Sequence, residues 1–359
     1  MLKKRILFVV LVLFSIPILF FGGLLLQGTL TKFHPEAFMT IENQGLAKER
    51  IVPDTFSILI WNIGYCGLGK EMDFFNDGGK SVRASQAQTE QYKQAIIDFL
   101  KKKSELVDFL LIQEVDRNSK RSYYNDQHQD LLEALPGFAG AFALNYHVRF
   151  VPVPFGFPYT PYGKTYAGLS NFSRFQPESA LRVQYPGSFS WPTSLYMLNR
   201  CALEQIFELQ NGEKLMIVNT HNTAYDQTGE IKRVEMEFMR KRYDSLAAEG
   251  FHIIIGGDWN QIPPGFDATA FNQDIAPGYT PHAIDEQLIP KAWQVAFDPR
   301  FPTNRSNATP YIKGKSYTTL IDFFMVSPSF EVLKVETIPL DFEHSDHEPV
   351  LLQVAFTPD

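Results

Sequence analysis

His252–Gln261 (HIIIGGDWNQ) sets an acid and an amide at the end of an apolar run. Ile253–Ile255 fits a strand buried on both faces. Gly256 and Gly257 follow, and without a Cβ the backbone can turn there and approach a neighbour closely. Asp258 and Asn260 stand two apart, so at strand spacing they point the same way. A carboxylate and an amide then project together from a rigid strand end, a good place to hold a reacting group. A strand closed by an Asx turn uses the same residues without chemistry.

Other polar residues occupy similar places. Asn62 closes the apolar stretch Phe56–Asn62, Glu114 follows Val107–Gln113, and His221 closes Lys214–His221. Each has a plain structural use as a turn former, a cap or a hydrogen-bonded core histidine. Asp322 resists that explanation because it interrupts the apolar strand Ser316–Ser327. A buried carboxylate is costly unless paired. Asp346-His347, just before a last strand at Pro349–Phe356, supplies a candidate partner.

The elements that carry these residues alternate in type. Apolar spacing predicts amphipathic helices over Ser85–Lys103 and Glu230–Glu249, and a short helix over Asp130–Leu135. Strands are expected at Ala139–Leu144 and Ala167–Ser173, the latter leading to Arg174, and at Glu331–Ile338. Arg200–Leu209 and Lys214–Asn219 read as a hairpin around Asn211-Gly212, a strong turn signal. Ile262–Pro310 is long, Pro-rich and irregular, which suits a substrate-facing or surface excursion. Asn145–Tyr166 is dense in aromatic residues and prolines and poor in charge. It reads either as a rigid surface loop or as a wall that rests on lipid or an apolar substrate.

The N-terminus is a separate object. Lys3, Lys4 and Arg5 precede an uncharged apolar run, Ile6–Leu26. At about 1.5 Å per residue this run matches a hydrocarbon layer of about 30 Å. No small-residue cleavage site follows it, so residues 1–28 read as a signal-anchor helix with its basic end cytoplasmic. The alternative is secretion after cleavage. Residues 29–53 read as a linker and 54–359 as the working domain. A net charge of −7 argues against a surface built to hold nucleic acid by phosphate neutralisation. Two cysteines, Cys66 and Cys201, do not establish a disulfide. Asn171, Asn304 and Asn307 open glycosylation-acceptor tripeptides.

Taken in order, Trp61-Asn62, Gln113-Glu114-Val115, Leu169–Arg174, Asn219–His221, Gly257–Asn260, Ile321-Asp322 and Ser345–His347 resemble the motifs of the endonuclease/exonuclease/phosphatase superfamily. The resemblance spans about residues 56–356. It implies a four-layer α/β sandwich: two packed, mostly antiparallel mixed sheets flanked by helices. It also implies a hydrolase of phosphoesters dependent on Mg2+, or on Mn2+, with Glu114 as the main metal ligand, Asn62 assisting, and Asp346 on the metal side. Asp258 would deprotonate the attacking water with Asn260 beside it. His347, oriented by Asp322, would stabilise the phosphoryl oxygens or act as acid/base. His221 would contact the phosphate, and Arg174 would hold phosphate or a carboxylate.

Departures narrow the expectation. Val115-Asp116 after Glu114 differs from the apurinic-endonuclease pattern, and Ala292-Trp293-Gln294 lacks the inositol-phosphatase signature. Leu320 stands where an Arg often precedes the strand aspartate. What remains is similar to the deoxyribonuclease and neutral sphingomyelinase branch, which works on diesters. The expected substrate is a lipid headgroup or other small phosphodiester, with nucleic acid as the alternative and no obligate protein partner. A catalytically inactive binding module is the reading from another class.

Overall fold

The computed structural model describes residues 2–272 and 279–357. Two sheets pack face to face. One has eight strands and is antiparallel except where Lys214–His221 runs parallel to Phe251–Asp258 and where Ile51–Val52 runs parallel to Cys201–Leu209. The other has six strands and one parallel pair, Thr55–Asn62 beside Phe109–Asp116. Helices cover the outer faces, giving the four layers expected.

Alternation along each strand explains the layering. Ile58, Ile60, Leu111, Ile217, Ile254 and Phe324 meet in the core between the sheets. Leu59, Trp61, Leu110 and Ile112 point outward and pack on Tyr92, Ile96 and Leu100 of the helix Gln86–Lys103. Ile253 and Ile255 pack outward on Met236, Met239 and Tyr243 of the helix Glu230–Ala248. The apolar runs are continuous because both faces are buried. Ser85 and Gln88 form a reciprocal capping box that starts the first of these helices.

Three expectations change. Residues 29–53 do not run free: Phe38–Thr40 pairs with Ser179–Gln184, and Ile51–Val52 pairs with Cys201–Leu209. The hairpin about Asn145–Tyr166 continues as strand, Ala139–Val151 against Gly163–Ser173, so the loop shrinks to its tip. The expected strand Ser316–Ser327 splits into Thr318–Thr319 and Asp322–Val326. Part of the long Ile262–Pro310 excursion, residues 273–278, lies outside the described residues, as do residues 358–359 of the C-terminus.

The helix Leu2–Thr31 is long and apolar enough to cross a membrane or to serve as a signal sequence. Cys66 and Cys201 are free and buried in separate core layers.

Candidate active site

Five strand ends and one loop converge at one end of the sandwich. Asn62 ends Thr55–Asn62, His221 ends Lys214–His221, and Asp258 ends Phe251–Asp258. Asp322 starts the antiparallel neighbour and lies directly opposite Asp258. Gly257 allows this convergence: at φ +148 a Cβ there would lie 2.0 Å from the Thr220 carbonyl oxygen.

Glu114 reaches the site through an irregularity. Leu111 faces the inter-sheet core, whereas Ile112 and Val115 both face outward, so the regular alternation breaks between them. The register with Gly163–Ser173 shifts at the same place, and Glu114 sits at φ +55. A bulge of this kind re-aims a side chain at a cost of about 1–3 kcal/mol in backbone strain, which the surrounding sheet must offset.

Asp258 is buried and closely held. Its Oδ2 accepts from the Asn62 side-chain amide at 3.0 Å and lies 3.3 Å from His221 Nε2, and its Oδ1 accepts from the Asn260 backbone at 2.9 Å. Asn260 itself donates to the Asn222 carbonyl at 3.0 Å. His347 Nδ1 meets Asp322 Oδ2 at 2.8 Å, and its Nε2 lies 3.8 Å from Asp258 Oδ2. Burial opposes a charged imidazole, but Asp322 and then Asp258 outweigh it and raise the His347 pKa above the ordinary range. His221 goes the other way: burial, then the charges of Arg200 and His347, lower its pKa well below the usual value. Two histidines a few ångströms apart are thus set to opposite protonation states, one charged and one neutral.

Glu114 borders the same group of side chains. It lies 3.4 Å from the Asn62 amide, 4.0 Å from His221 Nε2 and 4.0 Å from Arg121. Its pKa is raised by burial, opposed by Arg121, and raised again by the negative charge of Asp346. A buried Glu114 beside the negative charge of Asp346 is a fitting seat for a divalent cation, and an oxygen-only set suits a hard one. Asn62 is turned so that its amide nitrogen faces the carboxylates while its oxygen accepts from Gly64 at 3.0 Å, so it joins such a set only by rotating. Asp258, Asp322 and His347 also lie close enough to hold an ion. Their contacts are already committed to one another, and proton handling describes them better.

Arg174 is a correction. Ser173 pairs with Phe109, at the start of the strand whose far end carries Glu114. Arg174 therefore lies at the opposite end of the sheet, donating to the Ser104 and Val107 carbonyls and pairing with Asp108.

Several site residues escaped the sequence reading. Arg200, buried directly before the strand Cys201–Leu209, acts on His221 and Glu114 through its charge, and its Nη1 has no partner among the described residues. Arg121 is locked by Asp116 at 2.8 Å and stacked on the Tyr65 ring at 3.8 Å. Asn304 lies 2.9 Å from His347 Nε2, and Asn307 donates to Asp346 at 2.7 Å. Asn307 is buried, and Asn171 is wholly so, which leaves neither open to a glycan.

The profile of the Endonuclease/Exonuclease/phosphatase family matches residues 59–347. The chain belongs to this family. Its members hydrolyse phosphoester bonds and typically depend on divalent metals. Among solved structures, the family protein from Beutenbergia cavernae DSM 12333 superposes with TM-score 0.54 at 15% identity, covering 84% of this chain and 72% of that one. The 2',3'-cyclic phosphatase ANGEL2 with adenosine-2',3'-vanadate gives 0.54 at 15% identity, over 89% and 99%. The family protein from Bacteroides vulgatus gives 0.51 at 19% identity, over 84% and 99%. These likenesses show the fold. No curated protein matches the chain.

Behind the family site, Glu235 of the helix Glu230–Ala248 props the loop that follows His221. Its carboxylate accepts from the Thr223 backbone at 2.9 Å and from the Thr223 hydroxyl at 2.5 Å. Burial raises its pKa from 4.5 to about 7 against these hydrogen bonds. The folded state therefore binds the extra proton, and stability is full below about pH 4.5 and falls as pH rises through about 7. Glu235→Gln keeps the acceptor and removes the titration. Thermal melts from pH 5 to 8 are expected to show the variant gaining on the wild type by on the order of 2–3 kcal/mol. A constant difference across that range rejects the assignment.

Proposed function

We propose that this chain is a Mg2+-dependent phosphodiesterase, tethered through residues 1–28, whose domain works outside the cytoplasm on a lipid headgroup or another small phosphodiester. Mn2+ fits the same site. The domain is taken as 54–359, with the strands at 38–52 added to it. The observation that carries the reading is the set of groups gathered on Asp258 Oδ2, with Asn62 at 3.0 Å, His221 at 3.3 Å and His347 at 3.8 Å, and with Glu114 3.4 Å from the same Asn62 amide.

Glu114 and Asp346 would hold the cation, with Asn62 after rotation. Mg2+ bound there would offset charge on the phosphoryl and leaving oxygens. The chain's own groups do the rest. Asp258 takes the proton of the attacking water, its orientation fixed by Asn62 and the Asn260 backbone. His347 presents a charged imidazole to the phosphoryl group and is held in orientation by Asp322. His221, neutral, donates from Nε2. Arg200 supplies a guanidinium with an unused donor, taking the phosphate role expected of Arg174.

Arg200→Ala is expected to lower kcat/KM by about 10- to 100-fold, the loss of one charge-assisted hydrogen bond. Arg174→Ala should leave kcat/KM within about twofold and cost about 1 kcal/mol of stability. The reverse pattern would return the phosphate role to Arg174.

To test the function, the full chain in phosphatidylcholine vesicles is given sphingomyelin, a phosphoinositide or plasmid DNA, with Mg2+ or with EDTA. Asp258→Asn serves as control. Mg2+-dependent turnover of a diester lipid, lost in the variant, is the expected result. Turnover of DNA alone assigns a nuclease. A folded protein that binds Mg2+ and turns over none of them is the binding module.

A further inference from the structure

Residues 151–162 (VPVPFGFPYTPY) hold four prolines and no charge. They form the tip of the hairpin Ala139–Val151 and Gly163–Ser173. Its pairing runs from Ala139 opposite Ser173, past Ala167 beside Asp116, to Val151 opposite Gly163. The hairpin therefore overhangs the end of the sheet where Glu114 lies. At its base, the Tyr162 hydroxyl accepts from Arg121, the residue beside Glu114.

At the tip, Phe157 is fully exposed and Phe155 is half exposed. A neighbour gives this exposure meaning. Phe155 packs edge-on against Phe21 of the N-terminal helix, with ring centroids 5.3 Å apart. Phe21 lies five residues inside the apolar run's end at Leu26, a depth of about 7 Å at about 1.5 Å per residue. Groups suited to a membrane surface stand at the level above. Trp191 Nε1 donates to Thr29 at 3.4 Å, the Tyr196 hydroxyl donates to the Leu24 carbonyl at 3.3 Å, and Lys32 donates to Ser194 at 3.2 Å. The tip also exposes fewer backbone donors than its length implies. Four of its residues have no N–H, and the Tyr162 N–H is spent on the Val153 carbonyl at 2.8 Å.

We propose that this tip, with Trp191 at its side, is seated in a phospholipid bilayer next to the N-terminal helix and turns the catalytic cleft toward the bilayer surface. The inference rests on the anchor reading given under the proposed function. A site so placed reaches a headgroup without the lipid leaving its leaflet.

The test labels three variants of the full chain, each with one accessible cysteine added beside the buried Cys66 and Cys201, with an environment-sensitive fluorophore in vesicles containing doxyl phosphatidylcholine, and the unsubstituted chain sets the background label. Leu13→Cys lies in the helix, Phe157→Cys at the tip, and Leu106→Cys on an exposed turn before the strand Phe109–Asp116, at the end remote from Glu114. Leu106 and Phe157 are exposed, so substitution there leaves the core intact. The expected result is loss of fluorescence at 13 and 157 and none at 106. Loss at 13 alone overturns the docking and leaves the anchor standing. No loss at either 13 or 157 overturns both. Hydrolysis of a soluble diester by the same samples reports separately on the catalytic reading.

Discussion

Asp258→Asn should cost about 1–3 kcal/mol of stability and lower kcat on a phosphodiester by about 10²- to 10⁴-fold. The size is that of a lost general base. Asparagine keeps only one of the two oxygens, which here serve the Asn62 amide and the Asn260 N–H separately, so one of the two hydrogen bonds that fix the strand end is lost. What disappears with it is the group that accepts the proton of the attacking water. Mg2+ affinity should move little, because Glu114 and Asp346 are untouched. Glu114→Gln should instead weaken Mg2+ binding and lose activity in parallel, with partial recovery at high Mg2+. Isothermal titration with Mg2+ beside initial rates separates the two. If Asp258→Asn keeps more than about a tenth of the rate, Asp258 is not the base.

Asp258, Asn62, His221 and Asp322 were legible because each is a polar residue that closes or breaks an apolar run buried on both faces. In such a position solvent cannot satisfy the group, so a partner is required, and a shared strand end supplies it. Direction along the sheet was not legible. Arg174 closes a strand just as Asn62 does, yet that strand runs antiparallel to Phe109–Asp116, and its end points away from the site. Arg200 stands at a strand's start for the complementary reason, and nothing in its neighbours marks it. Glu114 was found, but its backbone was not: the bulge that aims it is set by pairing with Gly163–Ser173, a contact far away in sequence. Asn304 and Asn307 read as glycan acceptors because a tripeptide carries no information about burial. Their partners, His347 and Asp346, lie about forty residues on.

His347→Ala should also cost about 10²- to 10⁴-fold in kcat, and here pH tells positioning from packing. The ring's pKa is raised chiefly by Asp322 against the effect of burial, so its proton is retained through neutral pH and lost only well on the alkaline side. If the charged imidazole is the working form, wild-type activity falls as pH rises through that raised pKa. Asp322→Asn removes the first of the three carboxylates that raise it and leaves Asp258 and Asp346, so the alkaline limb of the rate profile must move to lower pH. A bound cation at Glu114 and Asp346 pulls both profiles down together, and the difference between wild type and variant survives it. A purely structural Asp322 would lower kcat or the melting temperature with the limb unmoved, and that outcome would remove His347 from the chemistry as drawn. The shift reads the charge on a single ring, and the 2.8 Å contact between His347 and Asp322 is what the chain supplies to set it.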